Sequence, residues 1–322
     1  MAPSSFLLPL KGPPMSQTSI ECQGLCKSYG AHSAVAGIDL AIAEGEFFGL
    51  LGRNGSGKTS TLHMLATLVR PTAGRAIVAG HDVVRQPVAV RRAIGMVFQD
   101  SALDRNLSVE ENLHFAAALY DLPPDVSRGR IDELLRLFEL ADRRRALVGN
   151  LSGGMRRALD IARGVLHRPR VLLLDEPTIG LDVINRRTIW RFLDRLRQET
   201  GLTLVLTTHY LEEAATCNRV VFMSKGRFIG SGEPSRLIAE LGSQILDIES
   251  NSVSEHAEIL QPLLGPPIIE GDHLQFRVAA DEFSVGDVQR RLQPPPRAFS
   301  IRQPDLNDVY VWLNHRHRAA RP

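Results

Sequence analysis

One octapeptide, Gly52-Arg53-Asn54-Gly55-Ser56-Gly57-Lys58-Thr59, constrains the fold of this chain more than any other segment. Its G-x-x-x-x-G-K-[ST] spacing is that of a phosphate-binding P-loop, which works only between a buried strand and a helix N-terminus. The apolar run Phe47-Phe48-Gly49-Leu50-Leu51 reads as that strand, and Lys58 to Val69 reads as the helix. The three glycines let successive backbone N–H groups turn inward around phosphate oxygens without Cβ clashes. The helix N-terminus adds partial positive charge beneath the same oxygens. Lys58 is expected to reach the β/γ-phosphates. Thr59, followed by the second hydroxyl of Ser60, is expected to offer its own to Mg²⁺. The pattern points to a nucleotide-binding α/β protein.

A chain of 322 residues has room for about two domains. Its net charge of +2 speaks against a nucleic-acid partner held by bulk electrostatics. No apolar run approaches the ~18 to 20 residues that span a bilayer. Ser5-Phe6-Leu7-Leu8-Pro9-Leu10 is too short and too broken by proline for a signal peptide. A cytoplasmic chain is therefore expected, with any membrane role requiring a partner. Three cysteines, an odd number, suit a reducing compartment. Cys22 and Cys26 read as core thiols on one face of a strand.

Residues 1–16, rich in Pro and Ser, read as a disordered leader. Short strands follow from Ser19 to Leu51, and after the P-loop helix, strands near Arg75–Ala79 and Ile94–Phe98 flank another helix. From Val109 to Leu166 the periodicity is helical, with Leu134, Leu137 and Phe138 at helix spacing, so a helical subdomain is expected at about 105–168. Buried strands return at Val171–Leu174, Thr203–Leu206 and Val220–Met223, with an amphipathic helix from Val183 to about Glu199. The texture changes again at Gly242. Beyond it, a strand (Ile245–Ile248), a helix (Ser254–Leu264), a hairpin turning at Gly271-Asp272, a helix (Phe283–Leu292), a strand (Ala298–Arg302) and a last helix (Leu306–His315) follow. This βαββαβ order predicts a small ferredoxin-like α+β domain over 243–322, after a nucleotide-binding domain over 17–242. Ile245, Ile248, Leu260, Leu274, Phe276, Val278, Val309 and Trp312 would supply its core. No phosphate-binding or metal-binding pattern occurs there, and no part in hydrolysis is expected of it.

Val171-Leu172-Leu173-Leu174-Asp175-Glu176 has the form of a Walker B strand, which delivers Asp175 to Mg²⁺ beside the P-loop. Glu176 then faces the γ-phosphate as a general base. Leu151-Ser152-Gly153-Gly154-Met155 opens a helix with a second anion site of the same physical kind. One chain has no second nucleotide for it to cap, so it is expected to serve a neighbour. In this order and spacing the three motifs resemble those of the ATP-binding cassette (ABC) ATPases, over about Ile20 to Leu241.

That resemblance implies ATP and Mg²⁺ as cofactors and gives further residues their parts. Gln99 resembles the glutamine that touches Mg²⁺ and the attacking water, and His209 the switch histidine at the γ-phosphate. Gly180-Leu181-Asp182 resembles the loop that crosses to the other subunit, and Tyr29 the aromatic residue that stacks on adenine. Met155, Ile179 and Val183 depart from the family's usual Gln, Ser and Pro, but none removes a phosphate, metal or proton-transfer group.

Asp104-Arg105-Asn106-Leu107-Ser108-Val109-Glu110-Glu111-Asn112-Leu113 and Pro304-Asp305-Leu306-Asn307-Asp308-Val309-Tyr310 look like segments of daunorubicin-type drug-export ATPases. The resemblance implies a bacterial exporter subunit on the inner face of the cell membrane. Its partners would be a separate membrane permease, near Gln99 to Leu107, and a second copy of itself, head to tail around two MgATP. Polysaccharide or lipo-oligosaccharide export, import, and a soluble ATPase acting outside transport are the alternatives. With one cassette and no sustained heptads, the last fits least well.

Overall fold

The structure, a computed structural model, describes residues 18–278 and 285–319. The expected leader and the start of a helix at Phe283 lie outside the described residues. The chain divides into two units: residues up to His209 with Cys217–Phe228, and Tyr210–Thr216 with the residues from Ile229 onward.

The first unit opens with β1 (Thr18–Tyr29) and β2 (His32–Ala43), a long antiparallel pair, followed by β3 (Phe47–Leu51), buried at every residue. The P-loop leads into α1 (Lys58–Leu65). This helix stops short of Val69 because Thr67 turns left-handed, at φ 62°, and the N–H groups of Leu68 and Val69 fold back to the His63 carbonyl. Apolar residues run on past the real end, but Leu68 there is 50% exposed. Next come β4 (Ala73–Val78), β5 (His81–Asp82), α2 (Pro87–Ala93) and β6 (Ile94–Val97). The helical stretch resolves into α3 (Val109–Leu119), α4 (Pro124–Leu137) and α5 (Gly153–Val165). Ser108 and Glu111 form a reciprocal capping box that fixes where α3 begins. Leu134, Leu137 and Phe138 are buried, as their spacing predicts.

Then β7 (Val171–Asp175), α6 (Val183–Thr200), β8 (Thr203–Thr208) and β9 (Arg219–Ser224) return to the core. β3, β6, β7, β8 and β9 form a parallel array in the order β9-β3-β8-β7-β6, edged beside β9 by β10 (Arg227–Gly232), within which the division between the units falls. Ligand sites in such sheets form beyond the carboxyl ends of the strands. Here the P-loop, Gln99, Asp175-Glu176 and His209 all leave those ends, from β3, β6, β7 and β8.

The second unit contains α7 (Pro234–Ala239), β11 (Gln244–Glu249), α8 (Val253–Leu264), β12 (Ile268–Glu270), β13 (His273–Val278), α9 (Val285–Arg291), β14 (Ala298–Arg302) and α10 (Leu306–Ala319). Its sheet is antiparallel in the order β12-β13-β11-β14, the ferredoxin-like arrangement. The residues expected to share one core lie on both faces of it. Leu246, Ile248, Leu274, Phe276 and Val278 cluster with Leu260 of α8 and Val288 of α9. Strand alternation sends Ile245 and Arg277 to the other side. There the Arg277 guanidinium lies 5.6 Å from the centre of the Trp312 ring of α10.

An ion pair ties α10 to the sheet. Both terminal nitrogens of Arg302 donate to the Asp308 carboxylate at 2.7 Å, and the Asp305 N–H donates to the same carboxylate at 2.8 Å. The Asp308 side chain is buried. Arg302→Met leaves it without its guanidinium, and hydrogen bonds to charged groups contribute about 1.5–3 kcal/mol. A lowered melting temperature with ATP affinity unchanged is the expected outcome, read by differential scanning fluorimetry and nucleotide titration.

Candidate active site

The carboxyl ends of β3, β6, β7 and β8 border a cavity of about 380 Å³. Of the residues singled out from the sequence, Tyr29, Asn54, Gly55, Gly57, Lys58, Thr59, Ser60, Gln99, Glu176 and His209 line it, together with His32, Ala34 and Ile179. Gly52, Arg53 and Ser56 complete the loop. Asp175 lies beneath it, where the Thr59 hydroxyl donates to Oδ1 at 3.2 Å.

Lys58 is buried and points back along its own loop, donating to the carbonyl of Gly52 at 2.8 Å. Its Nζ also lies 3.5 Å from Glu176 Oε1. Burial pulls the ammonium below its ordinary range, against the opposing attraction of Glu176 and Asp175. On the far side of Glu176, His209 Nδ1 stands 2.5 Å from Oε2, so the carboxylate is held between an ammonium and an imidazole. Tyr29 lines the cavity and is 47% exposed, with Lys27 Nζ over its ring at 4.9 Å from the centroid.

Three features test whether these residues fit a nucleoside triphosphate with its cation. Ser56 Oγ is buried and has no hydrogen-bond partner among the described residues, which leaves it free to bond a phosphate. Gly55 lines the cavity, and a Cβ there would meet nothing within 4 Å, so the loop leaves open space at this position. Thr59 and Asp175 supply hard oxygen donors of the kind Mg²⁺ prefers, which leaves further positions for phosphate and water. The residues fit.

Ser152, Gly153, Gly154 and Asp182 do not line this cavity. Ser152 caps α5, accepting from the Met155 N–H at 3.2 Å, and Ser152 and Gly153 are exposed. Gly154 is buried for a different reason. A Cβ there would fall 2.1 Å from Asn185 Oδ1, so the second signature glycine admits α6 against α5 within the chain. Asn185 in turn donates to Asp182 through its backbone at 2.9 Å and its side chain at 2.6 Å. Those two bonds hold the Asp182 carboxyl below the usual carboxylate range.

Sequence reasoning missed three side chains that shape the site. Thr207 donates from Oγ1 to Asp175 Oδ1 at 2.5 Å and accepts from the Glu176 N–H at 3.2 Å. Arg157, on α5, donates to backbone carbonyls around both Gln99 and Glu176. Asn185 is the third. For two of them the signal was a polar residue at a buried register: Thr207 lies near the end of fully buried β8, and Arg157 interrupts the apolar face of α5.

Comparison with known proteins agrees with the architecture. The family described as ABC transporter matches residues 35–179. Daunorubicin resistance ATP-binding protein DrrA3 of Streptomyces coeruleorubidus is 40% identical over 308 residues, covering 93% of this chain and 96% of that protein. Nod factor export ATP-binding protein I of Rhizobium sp. (strain N33) is 36% identical over 304 residues, covering 94% and 99%. Among solved structures, the dimeric post-hydrolysis state of the ATP-binding cassette MJ0796 bound to ADP and Pi superposes with a TM-score of 0.61. It is 27% identical and covers 66% of this chain and 98% of its own. The fold and the site are those of a P-loop ATPase. The chain belongs to the ATP-binding subunits of ABC transporters, the family that the relatives at 36–40% identity share.

The loop's glycines separate two kinds of failure. Gly52, at φ 154°, would place a Cβ 2.3 Å from the Met223 carbonyl oxygen, a backbone atom that cannot swing aside. Gly52→Ala should therefore lower the melting temperature sharply. Gly55→Ala meets only its φ of 77°, a strain of about 1–2 kcal/mol. It should stay folded yet lose ATP affinity by about tenfold or more, because its methyl enters the space needed by phosphate oxygens. Circular dichroism melts beside nucleotide titrations check both.

Proposed function

We propose that this chain is the ATP-hydrolysing subunit of a bacterial ABC exporter whose transport path is a separate membrane protein. The observation that carries the reading is Glu176: a buried carboxylate at the cavity, held by Lys58 on one oxygen and His209 on the other. In this reading the P-loop N–H groups, Ser56 and Lys58 bind the phosphates, and Tyr29 takes the adenine face. Thr59, Asp175 and Gln99 would hold Mg²⁺, which when bound neutralises charge on the phosphate oxygens. Glu176 accepts the proton of the attacking water. His209 orients Glu176 through their shared hydrogen bond, and Gln99 orients the water.

A head-to-tail dimer is supported by Ser152, Gly153 and Asp182 lying outside their own chain's cavity while being exposed. A second copy, head to tail, would present them to the phosphates. The solved bacterial cassette MJ0796, 28% identical to this chain, is itself dimeric. Among the described residues no helix is long and apolar enough to cross a membrane. Docking on a membrane permease at the inner face of the cell membrane is the arrangement that lets such a subunit drive transport. The names of the relatives, daunorubicin resistance and Nod factor export, support a drug-like or lipid-like cargo.

General-base assistance contributes about 10² to 10⁴-fold. Glu176→Gln should keep ATP binding while hydrolysis falls by at least about tenfold, whereas Lys58→Ala should weaken binding itself. Near-normal turnover of Glu176→Gln removes the assignment of the base. The same variant should elute from a sizing column as a dimer with MgATP and as a monomer with ADP. A size indifferent to nucleotide would count against the sandwich.

A further inference from the structure

Glu176 adopts φ 49°, a left-handed conformation that costs a residue with a β-carbon free energy and persists only where the surroundings over-determine it. Its N–H is held by Thr207, donating to the carbonyl at 3.1 Å and to Oγ1 at 3.2 Å. Its carbonyl is held from the opposite side by one guanidinium. Arg157 Nη2 donates to the Glu176 carbonyl at 2.9 Å and reaches that of Asp175 at 3.4 Å, while Nε donates to the carbonyl of Pro177. The remaining nitrogen, Nη1, donates at 2.6 Å to the carbonyl of Phe98, the residue before Gln99. Arg157 is 7% exposed.

These carbonyls share a predicament. β6 ends at Val97 and β7 at Asp175, so the Phe98, Glu176 and Pro177 carbonyls lie past the last rung of the sheet and need other donors. A guanidinium, with five N–H groups in a rigid planar fork, can serve several carbonyls diverging from two strands. α5 holds the same segment one and two turns further on. Arg163 Nη1 donates to the Ala102 carbonyl at 2.6 Å, and buried Asp160 lies between the two arginines on the same helix face.

We propose that Arg157 is a positioning residue for hydrolysis, fixing the main chain on both sides of Glu176 and the carbonyl next to Gln99 so that both side chains are held in one frame at the cavity. The proposal rests on the reading of Glu176 as base. Arg157 touches no residue of the P-loop through any of these bonds, so its effect falls on the chemical step and not on nucleotide affinity.

The test uses the full chain carrying Arg157→Ala or Arg157→Lys, each alone and combined with Glu176→Gln. A misplacement of about 1 Å costs up to ~10²-fold in rate, so Arg157→Ala should lose about tenfold to a hundredfold in kcat. KM for ATP and the affinity measured in the Glu176→Gln background should both stay within about threefold, the signature of an interaction made only in the transition state. Ethylguanidinium added to Arg157→Ala should restore part of kcat and do nothing for the unaltered protein. Arg157→Lys, which keeps the charge but reaches fewer carbonyls, should fall between. In the double variants, removing Arg157 should cost little beyond Glu176→Gln alone, because one acts through the other.

A folded Arg157→Lys with unchanged kcat overturns the proposal, and so does a loss that follows unfolded fraction and resists ethylguanidinium. If Arg157→Ala fails to fold, the lysine variant decides by the same criterion. Full additivity with Glu176→Gln overturns it as well. Near-normal turnover of Glu176→Gln alone marks the failure of the base reading, and is distinguishable because it needs no change at Arg157.

Discussion

The register of three adjacent buried strands sets the distances in this site. β3 pairs with β8 so that Leu51 faces Thr208, and β8 pairs with β7 so that Thr207 faces Asp175. One residue beyond those rungs lie Gly52, His209 and Glu176. The P-loop, the histidine and the carboxylate therefore emerge side by side from a single edge. Because side chains alternate along a strand, a slip of one residue in either pairing would turn Asp175 or Thr207 to the opposite face. Every residue of these three strands is buried, as in parallel strands covered by helices on both faces.

At the edge itself, electrostatics takes over from packing. Three charged groups are buried together at Lys58, Asp175 and Glu176, and an unpaired charge there would be costly. The arrangement avoids that by pairing: ammonium with carboxylate at 3.5 Å, and carboxylate with a threonine hydroxyl at 2.5 Å. The same proximity couples the groups. In the proposed mechanism, moving Lys58 toward a phosphate would take that partner from Glu176 while His209 stays beside it, so binding and proton acceptance would share these contacts.

Much of this was legible in the sequence because the relevant residues are contiguous in it. The P-loop and Asp175-Glu176 directly follow an apolar run that reads as a buried strand, His209 follows another after two threonines, and strand ends in an α/β sheet converge without further information. The order of elements beyond Gly242 was readable for a similar reason, each being short and bounded by Gly or Pro. What escaped was interaction across elements. Arg157, Thr207 and Asn185 owe their roles to carbonyls, a carboxylate and a glycine that are distant in the chain, and a polar residue at a buried register does not say which of these it meets. β10 and α7 were also missed. Gly230 and Gly232 dilute the strand pattern because packing demands them: a Cβ at Gly230 would lie 2.6 Å from Leu313 Cδ1, and one at Gly232 would lie 3.0 Å from Leu237.

The glycines of Ser152-Gly153-Gly154 show how one motif can satisfy two constraints at once. Gly153 is exposed, and its missing side chain leaves the turn's N–H groups approachable from outside. Gly154 is buried against Asn185, and its missing side chain is what lets α6 come that close. Asp182 caps α6 by accepting from the Asn185 N–H and from its side-chain amide, so the side chain that packs at Gly154 also binds the residue that opens α6. A glycine pair that looks like a simple anion-binding turn is therefore also a packing device. A substitution at its second position would disturb Asp182 before it disturbed any phosphate contact. The departures from the family at Met155 and Val183 fall on either side of this joint, and neither side chain supplies one of its contacts.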